Sequence, residues 1–109
     1  MAFEVTPLPI LMTTTTLTSS PNPSTSGEAV TFTAVVSSAA GAPPNGETVS
    51  FMKGTTVLGT GTLSGGAASF VTSTLKMGTT SVTAVYPGDF GLIGGKSNTV
   101  KQVVEKAAD

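Results

Sequence analysis

The chain has 109 residues, only 10% of them charged, with five lysines as its whole basic complement and a formal net charge of -1. It is sized for one domain and carries no basic footprint for a nucleic acid or an anionic membrane. Without a cysteine or a histidine it has no disulfide framework, no thiolate metal site and no imidazole base, so neither a cofactor site nor a catalytic residue is nominated.

With 39% hydrophobic residues the chain is too apolar for disorder, yet its apolar runs are too short for membrane insertion. Its surface must then be built largely from Ser, Thr and Gly. At the N-terminus, Leu8-Pro9-Ile10-Leu11-Met12 is short, broken by Pro9 and not preceded by a basic stretch, so it does not read as a secretory signal. Residues 1–12 are expected to be a linker or an N-terminal edge strand of a piece cut from a longer protein.

From residue 13 to residue 104 strand patterns alternate with turn signals, and no stretch has the 3.6 period of a helix. Thr13 to Ser20 is a Thr-rich strand suited to an edge, ended by Pro21-Asn22-Pro23 because proline cannot donate to a ladder. Glu28 to Ser38 is the clearest strand of the first half. It sets Val30, Phe32, Ala34 and Val36 on one face and Thr31, Thr33 and Val35 on the other. Ala39 to Gly46 is a loop, with Pro43-Pro44 and then Asn45-Gly46, a pair suited to a tight turn.

Thr48 to Lys53 buries Val49 and Phe51. A hairpin-like region follows, in which Val57-Leu58 and Leu63 flank Gly59-Thr60-Gly61, and Gly65-Gly66 turns the chain into Ala67 to Ser73 with Ala68 and Phe70 inward. The longest strand is the next. Gly78 to Tyr86 sets Val82, Ala84 and Tyr86 on one face and Ser81, Thr83 and Val85 on the other, before Pro87-Gly88-Asp89 stops the pairing. The loop Pro87 to Lys96 carries Phe90, Leu92 and Ile93, enough apolar surface to fold back over the open end of the sandwich as a plug. Ser97 to Val104 closes the sheet with Val100 and Val104 on one face, and residues 105–109 are a polar tail. The fold expected from the alternation is an all-β sandwich of seven or eight strands.

Sharper chemical motifs weigh little. Ser73-Thr74-Leu75-Lys76 matches the Ser-x-x-Lys of acyl-transferring enzymes, but it leaves a strand for a turn, where the motif needs a helix. Gly59-x-Gly61 could begin a dinucleotide fingerprint, but Ser64 stands in place of the third glycine and no helix follows. Glu28, Glu47 and Asp89 are too scattered to pair as acid and base. Asp89 is first a turn residue, and it is the nominee should calcium bind, although calcium needs six or more oxygens. Asn22, Asn45 and Asn98 are not N-glycosylation acceptors, since Pro23 blocks the first and no hydroxyl residue follows at the right spacing in the others.

The run Thr13 to Ser24, then Gly27 and Val30-Thr31-Phe32-Thr33-Ala34, resembles the opening of a bacterial immunoglobulin-like repeat domain. Val49-Ser50-Phe51, Leu58 to Gly66, Ala68-Ser69-Phe70 and Leu75 resemble that family's middle, and Gly78 to Tyr86 with Gly88-Asp89 its end. The resemblance spans residues 13–104. It implies an immunoglobulin-like Greek-key sandwich serving as a non-catalytic structural or spacer module of a multidomain exported or cell-surface protein, whose partners are neighbouring domains, including tandem copies, and which is monomeric when isolated. The alternative is an adhesin or carbohydrate-binding accessory module that meets a surface protein or glycan with its end loops, through Pro43, Pro44, Asn45, Asp89, Phe90, Leu92 and Ile93. Two features depart from the wider immunoglobulin pattern. Thr80 stands where an aromatic commonly follows the turn glycine, and the cysteine pair around a tryptophan is absent. Related surface sandwiches can also carry a lysine–asparagine crosslink assisted by a carboxylate, for which Lys53, Asn98 and Glu47 supply the residue types.

Overall fold

In the computed structural model of the chain, which describes residues 11–39, 41–43, 45–89 and 92–106, every alternating run becomes a strand. The strands are β1 (Leu11–Ser20), β2 (Ser24–Thr25), β3 (Val30–Ser38), β4 (Thr48–Lys53), β5 (Thr56–Thr62), β6 (Ala67–Thr72), β7 (Gly78–Asp89), β8 (Leu92–Lys96) and β9 (Val100–Glu105). The fold is all-β, as expected. The described residues hold nine strand segments because β2 is a two-residue addition along β9 and because the closing strand is interrupted between β8 and β9.

One layer is β1, β3 and β6, antiparallel throughout, with Leu17 opposite Ala34 and Phe32 opposite Phe70. The other is built on β7, which pairs with β4 over part of its length, with β8 near its end and with β9 near its start; β5 flanks β4. The two layers meet at β1, whose Leu11 and Met12 run parallel to Leu92 and Ile93 of β8. Between them lies one core, formed by the inward faces of β3 (Val30, Phe32, Ala34, Val36), β4 (Val49, Phe51) and β7 (Val82, Ala84, Tyr86), together with Leu17, Leu63 and Ala68. The outward positions of β3 show the same period from the other side: Val35 is 48% exposed.

Four sequence expectations change in the folded chain. The segment Pro87 to Lys96 is not a loop. β7 continues to Asp89 and pairs with β8, Tyr86 facing Gly95 and Gly88 facing Ile93. A Cβ on Gly94 would fall on the backbone of Tyr86 and Pro87, so the absence of a side chain there lets the two strands close past the proline. Second, Gly59 and Gly61 lie within β5 and do not turn the chain. A Cβ on Gly59 would strike the ring of Phe70, and one on Gly61 would stand 2.6 Å from the Ser69 carbonyl oxygen. The two glycines let β5 press against β6 at the flank of the sandwich.

Third, Phe70 and Leu75 are only half-buried and pack against the margin of the core. β6 has no strand on its outer side, so part of the Phe70 ring stays uncovered. It stacks at 6.4 Å on Phe32 and at 5.7 Å on Phe51, linking the two layers. Fourth, Ile93 does not plug the sandwich. It is 41% exposed beside Met12, which is 73% exposed. Phe90 lies outside the described residues, as does the side chain of Leu92.

Candidate functional site

The two loops singled out from sequence lie at one end of the sandwich, here the N-terminal pole. β1 starts there beside β8, and β3 ends there with Ser38 opposite Thr13. The loop leaving β3 is held by its own backbone. Ser38 and Gly41 exchange N–H to carbonyl bonds of 3.0 Å, the Gly46 N–H donates to Leu63 O at 2.9 Å, and the Leu63 N–H donates to Glu47 O at 2.7 Å. Asn45 Oδ1 accepts the Gly65 N–H at 2.9 Å, and Pro43 is buried. Pro44 lies outside the described residues. The structure therefore ties Asn45 to the β5–β6 turn and buries Pro43.

The other nominees sit on the β7–β8 hairpin. Asp89 is opposite Leu92 in register, and Ile93 lies beside Met12 of β1. Among the described residues no three carboxylates come together as a metal site. Ser73 and Lys76 lie in the irregular stretch after β6, not on a helix, so the geometry that Ser-x-x-Lys chemistry needs is missing. Lys53 and Glu47 lie at or beyond opposite ends of β4. Asn98, the third residue of the crosslink idea, spends its amide elsewhere.

That use of Asn98 belongs to a set of polar contacts that local periodicity passes over. Asn98 Oδ1 accepts the Leu17 N–H at 2.8 Å while its Nδ2 donates to Leu17 O at 3.1 Å. One side chain thus satisfies both backbone groups of a β1 residue, as a neighbouring strand would. Asn22 does the same for β9, donating from Nδ2 to Lys101 O at 3.1 Å and accepting the Val103 N–H at 3.1 Å. Gln102 is fully buried, and its Nε2 donates to Pro21 O at 2.8 Å and to Ser24 Oγ at 3.2 Å. Gln102 stands at spacing two between Val100 and Val104, so alternation alone would have put it on the inward face. Where the closing strand breaks, Ser97 keeps the ladder going: its N–H donates to Ala84 O at 2.8 Å, and its Oγ accepts the Ala84 N–H at 2.8 Å. These contacts sew β1 and the segment after it to the edge of the other layer.

A concave site lies at the opposite, C-terminal pole, where β4 and β6 end and β7 begins. It is a cleft of about 190 Å³ whose lining includes Lys53 and Lys76 together with Phe70, Leu58 and Leu75. The remaining lining is Thr72, Thr74 and Thr80. Neither lysine forms an ion pair with a described residue. Thr80, the position where an immunoglobulin aromatic was missing, is 6% exposed and its hydroxyl bonds to no other described residue. The Thr72 and Thr74 hydroxyls share a 3.1 Å hydrogen bond. Nothing here is a nucleophile with a base or a metal cluster.

Fold and site together define a small all-β sandwich module in which the described residues gather no reactive constellation. Over residues 17–105 the sequence matches the bacterial Ig-like domain (group 3) family, and the chain belongs to that family. Domains of this family typically occur as structural modules of extracellular or surface proteins and are generally non-catalytic. Neither a curated protein nor a solved structure matches the chain.

Proposed function

We propose that this domain is a spacer in a multidomain bacterial exported or cell-surface protein, setting the distance between the domains attached at its two ends. The observation that carries this reading is the direction of its first and last strands. β1 starts beside the start of β8 at the N-terminal pole, and β9, which prolongs β8, ends at Glu105 beside Thr25. At about 3.3 Å per residue the path from Leu92 to Glu105 spans roughly 40 Å, so a neighbour at each end is held apart by the length of the sandwich. Load between the ends runs along parallel strand pairs, β1 with β8 and β2 with β9. The carboxamides of Asn22, Asn98 and Gln102 brace that seam.

Small-angle scattering of one, two and three fused copies tests the proposal. The expected result is a maximum dimension that grows by roughly 40 Å per copy. Copies that fold back side by side, with little growth, would remove the spacer function. A second reading, an adhesive module using the N-terminal end loops, is favoured by one observation, the neighbouring exposed side chains of Met12 and Ile93. It predicts that M12S/I93S abolishes attachment to a surface protein or glycan while leaving the melting temperature unchanged.

A further inference from the structure

We propose that the cleft at the C-terminal pole binds a carboxylated sugar, a function separate from spacing and from the end loops of the opposite pole. In a chain of net charge -1, Lys53 from the end of β4 and Lys76 from the stretch after β6 converge on one cleft, and neither is neutralised by a described carboxylate. Two lysines that line one cleft and have no ion-pair partner among the described residues attract an anion, and each ammonium group can donate a charge-assisted hydrogen bond to it.

The rest of the lining says what body the anion carries. An inorganic anion would leave the wall of Phe70, Leu58 and Leu75 uncovered. That wall is continuous with the core, because Phe70 stacks on Phe51 and Phe32, and it suits the apolar face of a sugar ring. Opposite needs are met by the three threonines. Thr80 is 6% exposed and offers a hydroxyl without a partner among the described residues, and the Thr72–Thr74 pair retains one hydroxyl proton beyond the bond the two share. Hydroxyl groups of a sugar are donors and acceptors both, and they match such a set.

Size narrows the ligand further. At about 190 Å³ the cleft is smaller than the roughly 300–1,000 Å³ of sites for drug-sized molecules. It encloses about one sugar ring, and the rest of a longer ligand would lie outside it. Phe70 keeps its place because Gly59 leaves room for the ring, so the site depends on a glycine that a strand would otherwise disfavour.

The test is a titration of the isotopically labelled domain followed by amide chemical shifts, with D-galacturonate as the probe and D-galactose as its uncharged counterpart. Saturable shifts centred on Lys53, Phe70 and Thr80 are expected, with a Kd of about 1 mM for a ligand of this size. Galactose should bind about tenfold more weakly or worse, and K53Q/K76Q should weaken galacturonate by about tenfold while leaving the fold intact. Raising the salt concentration should weaken binding as well. Trigalacturonate distinguishes the source: tighter binding than the monomer assigns the site to an acidic polysaccharide, and equal binding assigns it to a free sugar acid. The proposal is overturned if galacturonate gives no saturable shift, if galactose binds equally, if K53Q/K76Q changes nothing, or if an acidic tripeptide binds the cleft more tightly than galacturonate.

Discussion

The two poles of the sandwich use similar ingredients to opposite ends. At the N-terminal pole, prolines, glycines and Asn45 form the kind of loop that in many proteins meets a partner, yet the Gly46 N–H, the Glu47 carbonyl and the Asn45 Oδ1 are bonded internally, to Leu63 and Gly65. At the C-terminal pole two lysines that look like ordinary solvated charges line one cleft with a Thr80 hydroxyl that has no partner among the described residues. Availability for a ligand therefore follows from where each donor and acceptor is spent, which loop composition does not reveal.

The largest effect expected separates the core from the cleft wall. Phe32→Ala should cost about 3–5 kcal/mol, a large share of the stability of a small domain, because the side chain is wholly buried and leaves a cavity. Phe70→Ala should cost clearly less, about 1–3 kcal/mol, since half-exposed apolar surface contributes less on burial. Urea unfolding midpoints measure both, and equal losses would refute the distinction between core and wall.

Gly59→Ala comes next. The added methyl group must displace the Phe70 ring or push β5 outward, an overpacking cost of about 1–3 kcal/mol. A neutral result by thermal melting would mean that β5 and β6 can separate freely.

Asn98→Ala sharpens the contrast between internal and available polar groups. It strips both partners from Leu17 in a part-buried seam, at a cost of about 1–2 kcal/mol, and the Leu17 amide should exchange faster. Asn45→Ala removes a single exposed bond and should cost about 0.5–1 kcal/mol. If Asn45 proves the more important, the seam is weaker than its geometry indicates.

The smallest effect is expected from K53Q and K76Q. Both side chains are exposed and without ion-pair partners among the described residues, so each should change stability by no more than about 0.5 kcal/mol. A larger loss in calorimetric melting would give these lysines a structural role in place of a binding one.

Alternation made most of the architecture legible. The inward residues of β3 and β7 follow from spacing alone, since Val30, Phe32, Ala34, Val82, Ala84 and Tyr86 are all buried. The site was far less legible. Lys53 and Lys76 are separated along the chain by β5 and β6, and nothing in either neighbourhood marks them as companions. The role of Asn98 was equally hidden, because its partner Leu17 is 81 residues away.

By itself, then, the sequence determined the class of fold, the identity of most core residues and the strand runs on which they lie, because a pleated strand imposes period two locally and Gly, Pro and Asn set turns locally. Only the tertiary structure decided that β7 runs on through Pro87 to pair with β8, that Phe70 is a wall and not a core residue, and that three carboxamides close the seam between β1 and β9. Those outcomes depend on which strands become neighbours and which stay at an edge. Hydrogen-bond partners and burial at an edge are properties of the assembled layers, and no local window of sequence contains them.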